Sequence, residues 1–102
     1  MPLERNVCNR ILTWCREHKI WATKIHGNEF VSGLPDIMIC YKGRMIAIET
    51  KAETGKLRPL QKVHLRGIQT SGGIAEQVHS MDKFLEIMRS IDDGRSWDHT
   101  SY

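Results

Sequence analysis

The sequence predicts a single α/β domain, and three observations carry that prediction. The chain has 102 residues, enough for one hydrophobic core. Its apolar residues change period, from helical spacing at the start to β-rich runs in the middle. A further helical stretch then separates the third such run from a fourth, which calls for a crossover back to the sheet. The resulting order is helix, three strands, helix, strand, helix.

Leu3, Val7, Cys8, Ile11, Leu12 and Cys15 recur at helical spacing and predict an amphipathic helix over about residues 3–18. Residues 20–26 (IWATKIH) read as a strand, followed by a loop from Gly27 to Gly33. Asp36 to Tyr41 (DIMICY) and Met45 to Lys51 (MIAIETK) are strands expected near the centre of the sheet, with Lys42-Gly43-Arg44 between them. Pro59 suits the first turn of a helix, because its missing N–H costs little there. Leu60, Val63 and Ile68 line one side of that helix, which should end by Ser71-Gly72-Gly73. A strand at 74–79 and a helix over about 81–91 complete the domain, which spans 1–102. Residues from about 92 to 102 lack periodicity and read as a candidate mobile tail.

Hydrophobic residues at 40% and charged residues at 26% fit a folded domain and exclude wholesale disorder. No apolar run approaches the ~18 residues of a membrane span, so no membrane partner is expected. Three cysteines without CxxC spacing argue against a disulfide framework and read as reduced thiols, hence a cytoplasmic setting. The five histidines are scattered without zinc-ligand spacing. Gly72-Gly73 precedes a strand and no GKS or GKT occurs, so no nucleotide cofactor is expected. The formal net charge is +3, but residues 56–70 carry Lys56, Arg58, Lys62 and Arg66 with no acid. A phosphate-facing surface and a solvated helix face both fit that cluster.

The chemistry is concentrated in the central hairpin. If Lys42-Gly43 is a two-residue turn, Tyr41 pairs with Arg44, and counting back places Asp36 opposite Glu49. Their Cβ atoms would lie about 5 Å apart on one face, and alternation puts Lys51 on that face too. Two opposed carboxylates repel, and a shared divalent cation offsets this directly. A surface salt bridge at the end of the sheet is the competing reading, because a one-residue slip flips the register.

Three motifs, Gly33-Leu34-Pro35-Asp36, Ile48-Glu49-Thr50-Lys51 and Gly55-Lys56-Leu57-Arg58-Pro59-Leu60-Gln61, resemble the virus-type replication-repair nuclease (VRR-NUC) family. This is a branch of the PD-(D/E)xK superfamily with a restriction-endonuclease-like fold, in which a central mixed sheet is flanked by helices. The resemblance covers about residues 3–91. It implies Asp36 and Glu49 as the principal ligands of Mg2+ or Mn2+, with the Thr50 carbonyl as a further one. It implies Lys51 as the catalytic lysine, Gln61 near the metal or the water, and Glu4 contacting the metal through water or a second ion. Without the family, Glu4 reads as an acid favouring the helix dipole and Gln61 as an exposed helix residue. Arg58 departs from the small polar residue that often precedes the proline.

The function so implied is a metal-dependent, structure-selective endodeoxyribonuclease. Stand-alone members of similar length are associated with junction resolution, which implies a homodimer acting on branched DNA, with a four-way Holliday junction as the leading substrate, in a bacterial or bacteriophage-type context. A flap nuclease, a restriction-type enzyme and a non-cleaving DNA-binding module are the alternatives. Lys56, Arg58, Lys62 and Arg66 are the expected DNA contacts. Lys24 and Arg44 flank the site in sequence, where contact with substrate competes with a solvated surface. The apolar faces of the terminal helices and the Trp97 region are candidate dimer interfaces.

Overall fold

The computed structural model describes residues 4–26, 32–50 and 56–102. The elements are α1 (Glu4–Glu17), β1 (Trp21–Lys24), β2 (Ile37–Tyr41), β3 (Arg44–Thr50), α2 (Pro59–Thr70), β4 (Ile74–Val78) and α3 (Met81–Asp92). Their order is the predicted one. The strands form one sheet in the order β1-β2-β3-β4. The first two pairings are antiparallel and β3 to β4 is parallel, so α2 is the crossover. This is an α/β fold with a mixed sheet.

Local chemistry explains the boundaries. Helix α1 stops because Lys19 turns left-handed at φ 57. The Ile20 N–H then donates to the Cys15 carbonyl (2.8 Å) and the Lys19 N–H to that of Arg16 (3.1 Å), the paired closure of a Schellman end. At the hairpin Lys42 and Gly43 both have positive φ, 50 and 77, as a type I′ turn requires. Helix α3 begins at Ser80, whose hydroxyl accepts the Lys83 N–H.

The main core lies on one face of the sheet. Val7, Ile11 and Cys15 of α1 and Phe84, Ile87 and Met88 of α3 meet Ile37, Ile39, Ile46, Ile48, Ile74 and Val78. The other face is covered in part by α2, through Leu65 on Ala47 and Ala75. Here the expectation for α2 needs correction. Leu60 and Val63 are 45% and 53% exposed, whereas Gln61 and Leu65 are buried. Alanines in the sheet let the Leu65 stripe approach closely, and Gln61 turns inward because its amide finds partners there.

The last residues are hydrogen-bonded to the body of the domain. Glu76 of β4 is fully buried, and its carboxylate accepts from Trp97 Nε1 (3.0 Å), the Thr100 N–H (2.8 Å) and the Tyr102 hydroxyl (3.1 Å). The Tyr102 hydroxyl also accepts the Gln77 N–H. The tail thereby covers the open edge of β4, through bonds to side chains that have no sequence period. No described helix is long and apolar enough to cross a membrane.

Candidate active site

The hairpin register is Tyr41 with Arg44 through Ile37 with Ile48, and its next step sets Asp36 opposite Glu49. Ile46 and Ile48 point into the main core. By alternation Glu49 emerges on the opposite face, beneath α2. The register predicted from a two-residue turn is therefore the one the chain adopts.

Each carboxylate is held by a neighbour. Oδ2 of half-buried Asp36 accepts the Thr50 N–H (2.9 Å) and the Thr50 hydroxyl (2.7 Å). Glu49 is only 1% exposed, and its Oε2 accepts from Gln61 Nε2 at 3.3 Å. The other end of that amide, Oε1, accepts the Arg58 N–H (2.8 Å). Arginine has no acceptor to return the bond, so the start of α2 is closed from the glutamine side alone. These donors offset part of the repulsion that opposed carboxylates would otherwise suffer.

Gly33 sets the distance between the Asp36 loop and α2. Its φ is +77, and a Cβ there would lie 2.8 Å from Leu60 Cγ and 3.0 Å from the Leu60 carbonyl carbon. Only glycine allows this approach, which brings the loop against the helix that carries Gln61.

The structure thus gathers Asp36, Glu49, Thr50 and Gln61 at one end of the sheet. Lys51 lies outside the described residues. Glu4 stands in the first turn of α1, and its side chain is likewise outside them. Among the described residues no three His, Cys, Asp or Glu side chains converge as a metal site. Two carboxylates and a backbone oxygen nevertheless suit magnesium, which keeps several waters and takes one or two carboxylates.

The basic residues divide. Lys24 pairs with Ile37, beside Asp36. Arg44 does not flank the site: it closes the turn end of the hairpin, roughly 17 Å away at about 3.3 Å per residue. Strand direction separates what the sequence brackets. Arg58 at the N-cap of α2 and Lys62 within it are exposed, while Arg66 Nε donates to the Tyr102 main-chain oxygen (2.7 Å). Sequence reasoning missed the Thr50 hydroxyl and Gln77, which pairs in register with Glu49 on β4.

No protein-family model matches the chain, and neither does any curated protein. Among solved structures, one described as a "VRR_NUC domain protein" superposes with a TM-score of 0.75. The match covers 99% of this chain and 97% of the other, at 18% identity. The chain has the fold of a VRR_NUC domain protein. At that identity the likeness is one of architecture, and it takes in the whole path from α1 to the tail. On this VRR_NUC fold the Asp36–Glu49 pair occupies the end of the central hairpin that α2 overhangs.

Proposed function

We propose that this protein is a metal-dependent, structure-selective DNA endonuclease of the VRR-NUC type, acting as a homodimer on four-way junctions. The observation that carries the reading is the juxtaposition of Asp36 and Glu49 under Gln61, on a fold shared along its length with a VRR_NUC domain protein.

Asp36, Glu49 and the Thr50 carbonyl would hold Mg2+ or Mn2+. When bound, the ion supplies Lewis acidity at the phosphoryl oxygens and a water of lowered pKa. Thr50 fixes the Asp36 carboxylate and Gln61 that of Glu49, so neither has to reorganise during the reaction. Both ends of the Gln61 amide are engaged, which makes Gln61 a positioning residue. Lys51 is assigned the role of stabilising negative charge that builds on the phosphoryl group, or of orienting the attacking water.

The dimer reading gains a specific surface. The faces of α1 and α3 are used in the chain's own core, and Trp97 packs there while bonding Glu76. Those candidate interfaces are therefore closed. The second face of the sheet keeps an open row instead: Trp21 pairs with Cys40 and Cys40 with Met45. Trp21 is 58% and Met45 39% exposed, and Val63 of α2 lines a cleft with Met45. Two symmetry-related copies would supply the two nicks that resolution of a junction needs.

The deciding experiment incubates the protein with plasmid, duplex, flap and four-way junction DNA, with Mg2+, Mn2+ or a chelator. Paired symmetric nicks in the junction are expected with metal and none with chelator, and Glu49→Gln or Lys51→Ala should abolish them. A protein that binds DNA but cuts no substrate with either ion would instead be a non-cleaving module.

A further inference from the structure

We infer that the open cleft between α2 and the C-terminal tail is a subsite for a backbone phosphate of the DNA strand, adjoining the Glu49 side of the site; the choice of ligand rests on the nuclease reading. The cleft has a volume of about 400 Å³ and is lined by Lys56, Leu57, Lys62, Gln77, Ser101 and Tyr102. None of these side chains is acidic. Lys56 and Lys62 are exposed, and among the described residues the ion pairs are Lys42–Asp92 and Arg95–Asp93, both elsewhere. Two ammonium groups beside an amide and a hydroxyl make a donor set suited to a phosphodiester oxygen.

Position gives the cleft its meaning. Gln77 is the register partner of Glu49 in the parallel ladder, so the two backbones are about 4.8 Å apart. Side chains of register partners share a face, which puts the Gln77 amide beside Glu49 and at the floor of the cleft. The tail fixes this floor and builds one wall. The Tyr102 hydroxyl accepts the Gln77 N–H at 2.9 Å, and the Tyr102 main-chain oxygen accepts from Arg66 at 2.7 Å. A strand whose reacting phosphate sits at Asp36 and Glu49 would place a neighbouring phosphate between Lys56 and Lys62. Arg66, drawn to the tail, would serve as a wall of this subsite instead of extending a stripe along α2.

The test measures binding without cleavage. Labelled junction and duplex DNA are titrated with the full chain in chelator at several salt concentrations, using wild type, Lys56→Gln, Lys62→Gln and Gln77→Leu. Each lysine variant should lower the slope of log affinity against log salt by about one unit. Gln77→Leu should keep the slope and weaken binding about 2- to 12-fold, the range of one neutral hydrogen bond. Thermal melts of each variant separate these effects from misfolding. An unchanged slope in either lysine variant overturns the subsite, and if wild type still cuts DNA with metal the nuclease reading stands. Lowered slopes in both, with no cutting of any DNA, uphold the subsite and remove the nuclease reading. A wild type that binds no DNA removes both. Saturable micromolar binding of a mononucleotide would overturn the assignment to a strand.

Discussion

Asp36 at the threshold of β2 and Thr50 at the end of β3 are joined twice through one oxygen, which takes both the N–H and the hydroxyl of the threonine. An acid assigned to metal binding thus also closes the mouth of the hairpin. Asp36→Ala leaves the N–H of Thr50, itself 1% exposed, without this acceptor. In chelator it should cost about 1–3 kcal/mol of stability. Asp36→Asn keeps an oxygen for Thr50 and removes one of two opposed charges, so it should match or exceed wild type. Urea denaturation of the three proteins decides, and an asparagine variant as weak as the alanine one refutes the argument.

Gln61 links the start of α2 to Glu49. Gln61→Leu removes a hydrogen bond to a charged group, worth about 1.5–3 kcal/mol, or roughly 10- to 150-fold in rate if it is felt in the transition state. DNA affinity should be little changed, and the metal concentration for half-maximal cleavage should rise. Gln61→Glu should do more harm, because it sets a second carboxyl group beside a buried one. A shift in DNA affinity alone would contradict the positioning role.

The Cys15 thiol lies in the core, and burial pushes its pKa from 9.0 to about 11. Burial raises Tyr102 as well, from 10.0. In each case the folded state keeps a proton that the unfolded chain releases first. The thiol's contribution to stability is complete below pH 9 and is lost as pH rises through about 11, and the Tyr102 contribution is complete below pH 10 and lost above it. Urea midpoints should be level from pH 7 to 9 and fall steeply beyond. Cys15→Ala should lower the midpoint at neutral pH through its cavity and flatten the alkaline fall. An alkaline profile identical to that of wild type would rule out the thiol as a contributor.

The Trp21–Cys40–Met45 row is the surface to test for the dimer. Light scattering should give about twice the chain mass of 11.8 kDa, and Met45→Glu, with a charge at the end of the row beside Val63, should give the monomer. Junction cleavage by that variant should lose its paired nicks while single nicks persist. A wild type that is monomeric at working concentration excludes this interface.

Much of this architecture is written locally. Helical spacing from Leu3 to Cys15 and Pro59 ahead of an apolar helix place α1 and α2 within a few residues of their observed limits. The register of β2 on β3 follows from Lys42-Gly43 alone, because a two-residue turn leaves one pairing and strand alternation carries it to Asp36 and Glu49. The inward face of α2 was not legible. Leu60 and Val63 look like core residues, yet Gln61 is buried in their place, since what decides is the Glu49 carboxylate on β3, a partner on another segment. Glu76 gives no local hint that three residues of the tail will converge on it.

The sequence by itself determined the order of elements, the hairpin and the opposition of its two acids, all governed by spacing over a few residues. The tertiary structure alone decided that Gln77 stands beside Glu49, that the tail holds Arg66, and that Arg44 is carried away from the site. Those relations join segments distant in the chain, across a parallel pairing with no turn to set its register, so packing between them is what selects the arrangement.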